Sequence, residues 1–188
     1  LQIDFVEIGF RTLKNDIFKG AFAFSTDDYL GSLDVPVGLK NKLGVMINGS
    51  EIANEKTQIS CLEKLFNSKS NSPVTLVRIA CHTHEFIDCL PAANWLKKKG
   101  YLVGFNLMQI SDCSKEEVSS LARNASQYPI DVLYFADSLG SLDQQTSHNI
   151  IQALKAGWSG AIGIHTHDNM GQAVANVKQS INSGVTWV

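Results

Sequence analysis

The chain has 188 residues, 44% of them hydrophobic, and its 16 basic and 18 acidic side chains leave a net charge of -2. A chain of this size buries a real core, and without a cationic surplus no nucleic-acid partner is expected. No apolar run reaches the roughly 20 residues of a membrane span and the opening residues carry no secretion signal, so no membrane partner is expected and the expected address is the cytoplasm. Cys61, Cys81, Cys89 and Cys113 have neither zinc-knuckle spacing nor the density of a secreted scaffold, and read as reduced thiols.

Along the chain, short β-rich apolar runs alternate with segments of helical spacing, the pattern of parallel βα units. Six strands are predicted, at 4–10, 43–48, 75–81, 102–109, 132–137 and 161–165. Most are apolar on successive residues, as suits strands covered on both faces. The segment 11–25, rich in Gly, Phe, Asn and Lys, reads as a long loop at the top of the first strand and a candidate lid. Ile59, Leu62, Leu65 and Phe66 make one predicted docking stripe; Phe86, Leu90, Ala93 and Leu96 make a second, closed by Lys97, Lys98, Lys99 and Gly100. Ser114 and Glu117 have capping-box spacing at the start of a helix carrying Val118, Leu121 and Ala125, which Pro129 stops. Ile150, Ile151 and Leu154 mark the next helix, and Val174, Val177 and Ile181 the last.

Six βα units permit an open doubly wound sheet or an eight-stranded barrel. A nucleotide-binding sheet should carry a Gly-rich phosphate loop after an early strand, and neither Gly9-Phe10-Arg11 nor the run from Gly44 to Gly49 has that form. Polar residues instead gather at the strand ends: Glu7, Asn48, His82, Asn106 or Gln109, Asp137, His165 and His167. Convergence of such ends on one mouth is what a barrel active site demands, so a (β/α)8 TIM barrel is predicted. A full barrel needs about 250 residues, so residues 1–188 are expected to be one partial barrel domain.

Chemistry concentrates at Gly163-Ile164-His165-Thr166-His167-Asp168-Asn169. Strand alternation sends the two imidazoles to the same side, about 7 Å apart along the chain, which suits one divalent ion. The bland alternative is a pair of packed core histidines. Asp168 points away if the strand continues, so Asp137 or a carboxylate outside this sequence is the better third ligand. His82 and His84 have the same spacing, but His84-Glu85 reads as the entrance to a helix, and a second metal there is disfavoured. Asp137 and Ser138 lie where an apolar strand breaks into a Gly turn, so Asp137 either serves the site or caps the next helix. Glu7 is a charge inside an apolar strand and must be paired if buried; Arg78 is under the same constraint and reads as structural.

With these residues in view, Val6-Glu7-Ile8-Gly9, Ala136-Asp137-Ser138-Leu139-Gly140 and His165-Thr166-His167-Asp168-Asn169-Met170-Gly171 with Ala175-Asn176 resemble the metal-dependent aldolase and lyase barrels of the DRE-TIM metallolyase superfamily. These include 4-hydroxy-2-oxovalerate aldolase and hydroxymethylglutaryl-CoA lyase. The resemblance runs the length of the chain, and the late His-x-His with its Asp-Asn-x-Gly continuation is its most specific element. It implies that the visible strands are the second to the seventh of a barrel and that residues 185–188 open the eighth. It implies a divalent ion, Mn²⁺ or Mg²⁺ before Zn²⁺, held by His165, His167 and an aspartate of an Arg-Asp-Gly motif on a first strand not in this sequence. The arginine of that motif is implied as the partner of Glu7, and Asp137 matches an acid near substrate in the lyase branch. The implied reaction is carbon–carbon cleavage of a 4-hydroxy-2-oxo acid, or its reverse, with Glu7 and Asp137 as catalytic groups.

His82, Asn106, Ser138 and Asn169 are the candidate substrate contacts. Without the Arg-Asp-Gly motif the isolated chain is expected to be a poor catalyst. Exposed sheet edges predict a homo-oligomer, and an aldehyde product admits an aldehyde-accepting partner enzyme. Rival readings are an acyl-CoA condensing synthase on the same barrel, a zinc hydrolase barrel, whose His-x-His comes on the first strand, and a non-catalytic barrel with a binding or structural role.

Overall fold

The computed structural model describes residues 3–13, 17 and 19–188. Six strands, β1 (Val6–Phe10), β2 (Leu43–Asn48), β3 (Val74–His82), β4 (Leu102–Met108), β5 (Val132–Ala136) and β6 (Ala161–His165), pair in parallel in the order β1-β2-β3-β4-β5-β6. The helices are α1 (Asp27–Ser32), α2 (Glu55–Leu65), α3 (Phe86–Cys89), α4 (Pro91–Lys98), α5 (Lys115–Ala125), α6 (Gln144–Lys155) and α7 (Ala173–Asn182). Strand order that follows chain order, with no reversal, is the winding of a barrel; a doubly wound sheet would break the order at a switch point. Beside β6, Trp187 bridges Gly163 in parallel.

Strand alternation divides the sheet into two faces with different chemistry. Val45, Ile47, Val77, Ile79, Cys81, Val103, Phe105, Leu107, Leu133, Phe135, Ile162 and Ile164 join one apolar core with the helices. The opposite, inner face carries Glu7, Arg78, Asn106, Tyr134 and His165 among small residues. Gly163 is required there, and Gly104 leaves room beside it. A Cβ on Gly104 would lie 3.1 Å from Tyr134 Cε2 and 3.6 Å from Arg78 Cγ, and one on Gly163 would overlap the Tyr134 ring. Two glycines thus clear the space in which the largest inner side chains lie.

The helix ends follow local chemistry. Ser114 and Glu117 form the expected capping box on α5, and Asn54 and Asp143 cap α2 and α6. Two predicted docking stripes are corrected. On α2 Ile59 is exposed, while Gln58 is buried and its Nε2 donates to Ile52 O at 2.7 Å and Asp88 O at 2.9 Å. On α7 Val174 and Ile181 are exposed, and Asn176 points inward, donating to Leu142 O at 2.6 Å. In both cases carbonyls of a neighbouring segment, at Ile52 and Asp88 or at Leu142, need a donor, and an amide side chain supplies it.

The segment 11–25 is anchored at its base. Arg11, 1% exposed, donates to Ser25 O, Leu65 O and Asp27 Oδ1 and lies over the Phe66 ring, and Arg11 bridges Phe24. Of the expected lid, residues 14–16 and 18 lie outside the described residues.

Replacing Gly163 by Ala should destabilise the fold by about 1–3 kcal/mol, because the added methyl forces Tyr134 off its place. Urea unfolding checks this; an unchanged midpoint would show that the inner face has slack.

Candidate metal centre at the strand ends

His165 ends β6 and His167 follows two residues on. Their ring centroids are 4.9 Å apart and their planes cross at 83°. An ion lies in the plane of each imidazole that binds it. With a metal–nitrogen bond of about 2.1 Å and ligand angles of about 90–110°, two imidazoles on one ion have centroids about 4.5–5.2 Å apart. The pair fits that requirement. His82 and His84 are arranged differently, with centroids 5.5 Å apart and planes 10° from parallel. Among the described residues no group of three or more metal-ligating side chains forms around them.

The His167 tautomer is set by a neighbour. Its Nδ1 is 2.7 Å from Asp137 O, and because a carbonyl only accepts, Nδ1 carries the proton and Nε2 keeps its lone pair. A backbone carbonyl behind a metal-binding imidazole is the usual arrangement for fixing ring direction. His165 is half-buried, and its pKa is lowered from the ordinary 6.5, first by burial and then by Arg78 and His167. It therefore stays neutral, as a ligand must, further into acid than a free imidazole. Among the described residues no third His, Cys, Asp or Glu completes a three-ligand set.

Asp137 does not supply that ligand. It is 2% exposed, and its Oδ1 accepts from Ser141 N at 2.9 Å and Leu142 N at 3.2 Å. Its Oδ2 is buried with no hydrogen-bond partner among the described residues. Nor does it cap the next helix, since Asp143 does; it ties down the turn after β5. Ser138 and Asn169 join that network. Ser138 Oγ accepts from Gln109 N at 3.1 Å, and Asn169 Nδ2 donates to Leu139 O at 2.9 Å. The loops after β4, β5 and β6 are thereby knitted into one rim.

Below the rim lies the one feature that sequence reasoning did not pair. Arg78, from the middle of β3, grips Glu7 with two bonds, Nε to Oε2 at 2.7 Å and Nη2 to Oε1 at 2.6 Å. The expected partner of Glu7 was an arginine outside the sequence, and the expected role of Arg78 was unrelated structure; the fold joins the two. The guanidinium also lies 5.1 Å from the Tyr134 ring centroid. Burial pushes the Tyr134 phenol up to about 12, against a smaller lowering by Arg78. A charge inside an apolar strand, two strands from another of opposite sign, was the available signal. Glu7, Arg78, Tyr134 and His165 line an open cleft of about 710 Å³ bounded by Phe5 and Trp187, whose rings stack at 5.2 Å.

A barrel-type sheet with a polar ring at its strand ends and two convergent imidazoles on that ring defines a class of metal-dependent barrel proteins. The chain belongs to the HMGL-like family, whose model matches residues 57–188. It is similar to 4-hydroxy-2-oxovalerate aldolase 2 of Rhodococcus opacus, 30% identical over 116 residues, 61% of this chain and 33% of that protein. It is 31% identical to 2-isopropylmalate synthase 2 of Caldanaerobacter subterraneus over 191 residues, 100% of this chain and 47% of that protein. The chain therefore spans about a third to a half of these curated relatives. In fold it matches the N-terminal domain of a candidate aldolase from Bacteroides vulgatus with a TM-score of 0.76 at 21% identity, covering 98% of this chain and 59% of that one. The resemblance to the DRE-TIM metallolyases and the barrel class are both borne out.

The His165 imidazole should titrate below 6.5 in an NMR pH series. As pH falls the unfolded chain takes this proton first, so His165 subtracts stability on the acid side of 6.5 and has no effect above it. A midpoint above 6.5 would contradict the burial and charge environment described.

Proposed function

We propose that this protein is a divalent-metal-dependent carbon–carbon lyase that cleaves a 4-hydroxy-2-oxo acid to a 2-oxo acid and an aldehyde. The observation that carries this reading is the crossed pair His165 and His167, 4.9 Å apart at 83°, with the His167 tautomer fixed by Asp137 O, in a chain of the HMGL-like family. His165 and His167 would hold the ion, Mn²⁺ or Mg²⁺ before Zn²⁺, together with a carboxylate from beyond the described set. A divalent ion there supplies Lewis acidity, drawing charge from the 2-oxo group as the adjacent bond breaks.

The chain's own residues shape that event. Glu7 has both oxygens engaged by Arg78, so it serves by fixing a guanidinium in the cleft rather than by accepting a proton. Arg78 thereby presents fixed positive charge on the side of the cleft that His165 shares. Asp137 holds the rim turn, directs His167 through its carbonyl, and keeps one buried carboxylate oxygen uncommitted. The aldehyde product calls for a partner reaction that consumes it, and the open edges at β1 and Trp187 favour self-association.

A second reading comes from the same relatives. Identity to a 2-isopropylmalate synthase extends over the whole chain at 31%, and identity to the Pelotomaculum thermopropionicum 4-hydroxy-2-oxovalerate aldolase over 94% of it at 28%. Under that reading the same centre condenses an acyl-CoA with a 2-oxo acid, and CoA thiol release separates the two.

Elemental analysis of the full-length protein should find about one equivalent of divalent metal, lost in His167→Ala, and Mn²⁺ should support release of a 2-oxo acid from 4-hydroxy-2-oxopentanoate. Thiol release without cleavage would favour the synthase reading. No metal in either protein after Mn²⁺ is supplied would end the lyase reading and leave two structural histidines.

A further inference from the structure

Two polar atoms on the inner face have no use in the fold. His82 Nδ1 and Asn106 Oδ1 are both buried and have no hydrogen-bond partner among the described residues. Asn106 is 3% exposed. Leaving such an atom unpaired costs about 1–3 kcal/mol, so an inner face that keeps two of them on adjacent strands is shaped for a group the chain itself does not provide.

Their placement follows from register. Arg78 faces the inner cleft, so alternation puts Ala80 and His82 on the same face, one and two layers nearer the mouth. Gly104 lies against Arg78 and Tyr134 on the inner face, so Asn106 faces inward too. Asn106 pairs with Ala80 on one side and Tyr134 on the other, and His82 pairs with Met108. His82 and Asn106 are therefore diagonal neighbours on adjacent strands, which lie about 4.8 Å apart with about 6.6 Å of rise per two residues. Glu85 accepts from the His82 backbone N–H at 3.0 Å, which fixes the main chain at the strand end, and the His84 ring lies against the His82 ring while Nδ1 stays unengaged among the described residues.

We infer that His82 and Asn106 form a subsite for a single hydroxyl, the C4 hydroxyl of a 4-hydroxy-2-oxo acid, and so decide which 2-oxo acids this protein accepts. One orphaned acceptor beside one imidazole N–H is the complement of one hydroxyl: Asn106 Oδ1 accepts its hydrogen while His82, in the Nδ1–H form, donates to its oxygen. A site built to hydrogen-bond a hydroxyl rejects the analogue that lacks it far more strongly than an apolar pocket rejects a size change, because both partners are left buried and unpaired. Neither residue is needed for chemistry on a 2-oxo acid without that hydroxyl. This rests on the lyase reading and adds the part of the substrate that the metal centre does not contact.

The test uses the full-length, Mn²⁺-supplied protein and two reactions: cleavage of 4-hydroxy-2-oxopentanoate, and exchange of the methyl hydrogens of pyruvate with D₂O followed by NMR. Pyruvate has no hydroxyl to bind. Asn106→Leu and His82→Phe, which keep shape and ring stacking, should each lower kcat/KM for cleavage by about 100-fold or more while leaving exchange within about threefold, with unchanged melting temperature. Equal loss of both reactions in a folded variant would overturn the inference and give the residues a general structural role. Retention of both would overturn it as well, leaving the two atoms to water alone. A wild-type protein that neither exchanges nor cleaves would remove the lyase reading itself, an outcome distinct from either of these.

Discussion

The inner face of the sheet is organised by one ion pair. An arginine in the middle of a strand, 7% exposed, must be met by a carboxylate with matching geometry, and Glu7 meets it with both oxygens. The pair joins β1 to β3 across the intervening strand. It also consumes space: the Tyr134 ring beside the guanidinium fits because Gly163 carries no side chain, and Gly104 adds slack against the same ring. With the lower layer filled in this way, polar groups nearer the strand ends stand free above it, and these are His82, Asn106 and His165. The ion pair thus acts as a floor on which a polar mouth is built.

The rim above that floor is held by backbone as much as by side chains. Asp137 gathers the amides of Ser141 and Leu142 and lends its carbonyl to His167; Ser138 receives Gln109 N, and Asn169 reaches Leu139 O. Ser138 and Asn169, expected as substrate contacts, set loop positions in this way. Gln109 adopts φ 55, a left-handed backbone uncommon outside glycine, at the point where Ser138 catches its N–H. Rigidity at the ends of β4, β5 and β6 is what lets two imidazoles on one of them keep a fixed angle.

Strand positions, the barrel winding and the histidine pair were legible in the sequence, because successive apolar residues and polar strand ends are local patterns. β2 and β6 match their predicted limits, and the others shift by one or two residues at an end. Three things were not legible. The apolar spacing of α2 and α7 pointed to Ile59, Val174 and Ile181, yet Gln58 and Asn176 face inward to satisfy carbonyls of Ile52, Asp88 and Leu142 on neighbouring segments. The partner of Glu7 lies 71 residues away, a pairing that only the register of three strands reveals. The proton position on His167 depends on a carbonyl 30 residues away, which no residue pattern encodes. His82 and His84 show that identical spacing does not fix arrangement: their planes lie 10° from parallel, whereas those of His165 and His167 cross at 83°.

The central claim is that His165 and His167 bind one ion together, and the most direct measurement is pulsed EPR on the full-length protein loaded with Mn²⁺ and labelled with ¹⁵N-histidine. The account predicts couplings to two imidazole nitrogens, reduced to one when either His165 or His167 is replaced by Ala. A Mn²⁺ signal with no histidine nitrogen coupling would contradict it.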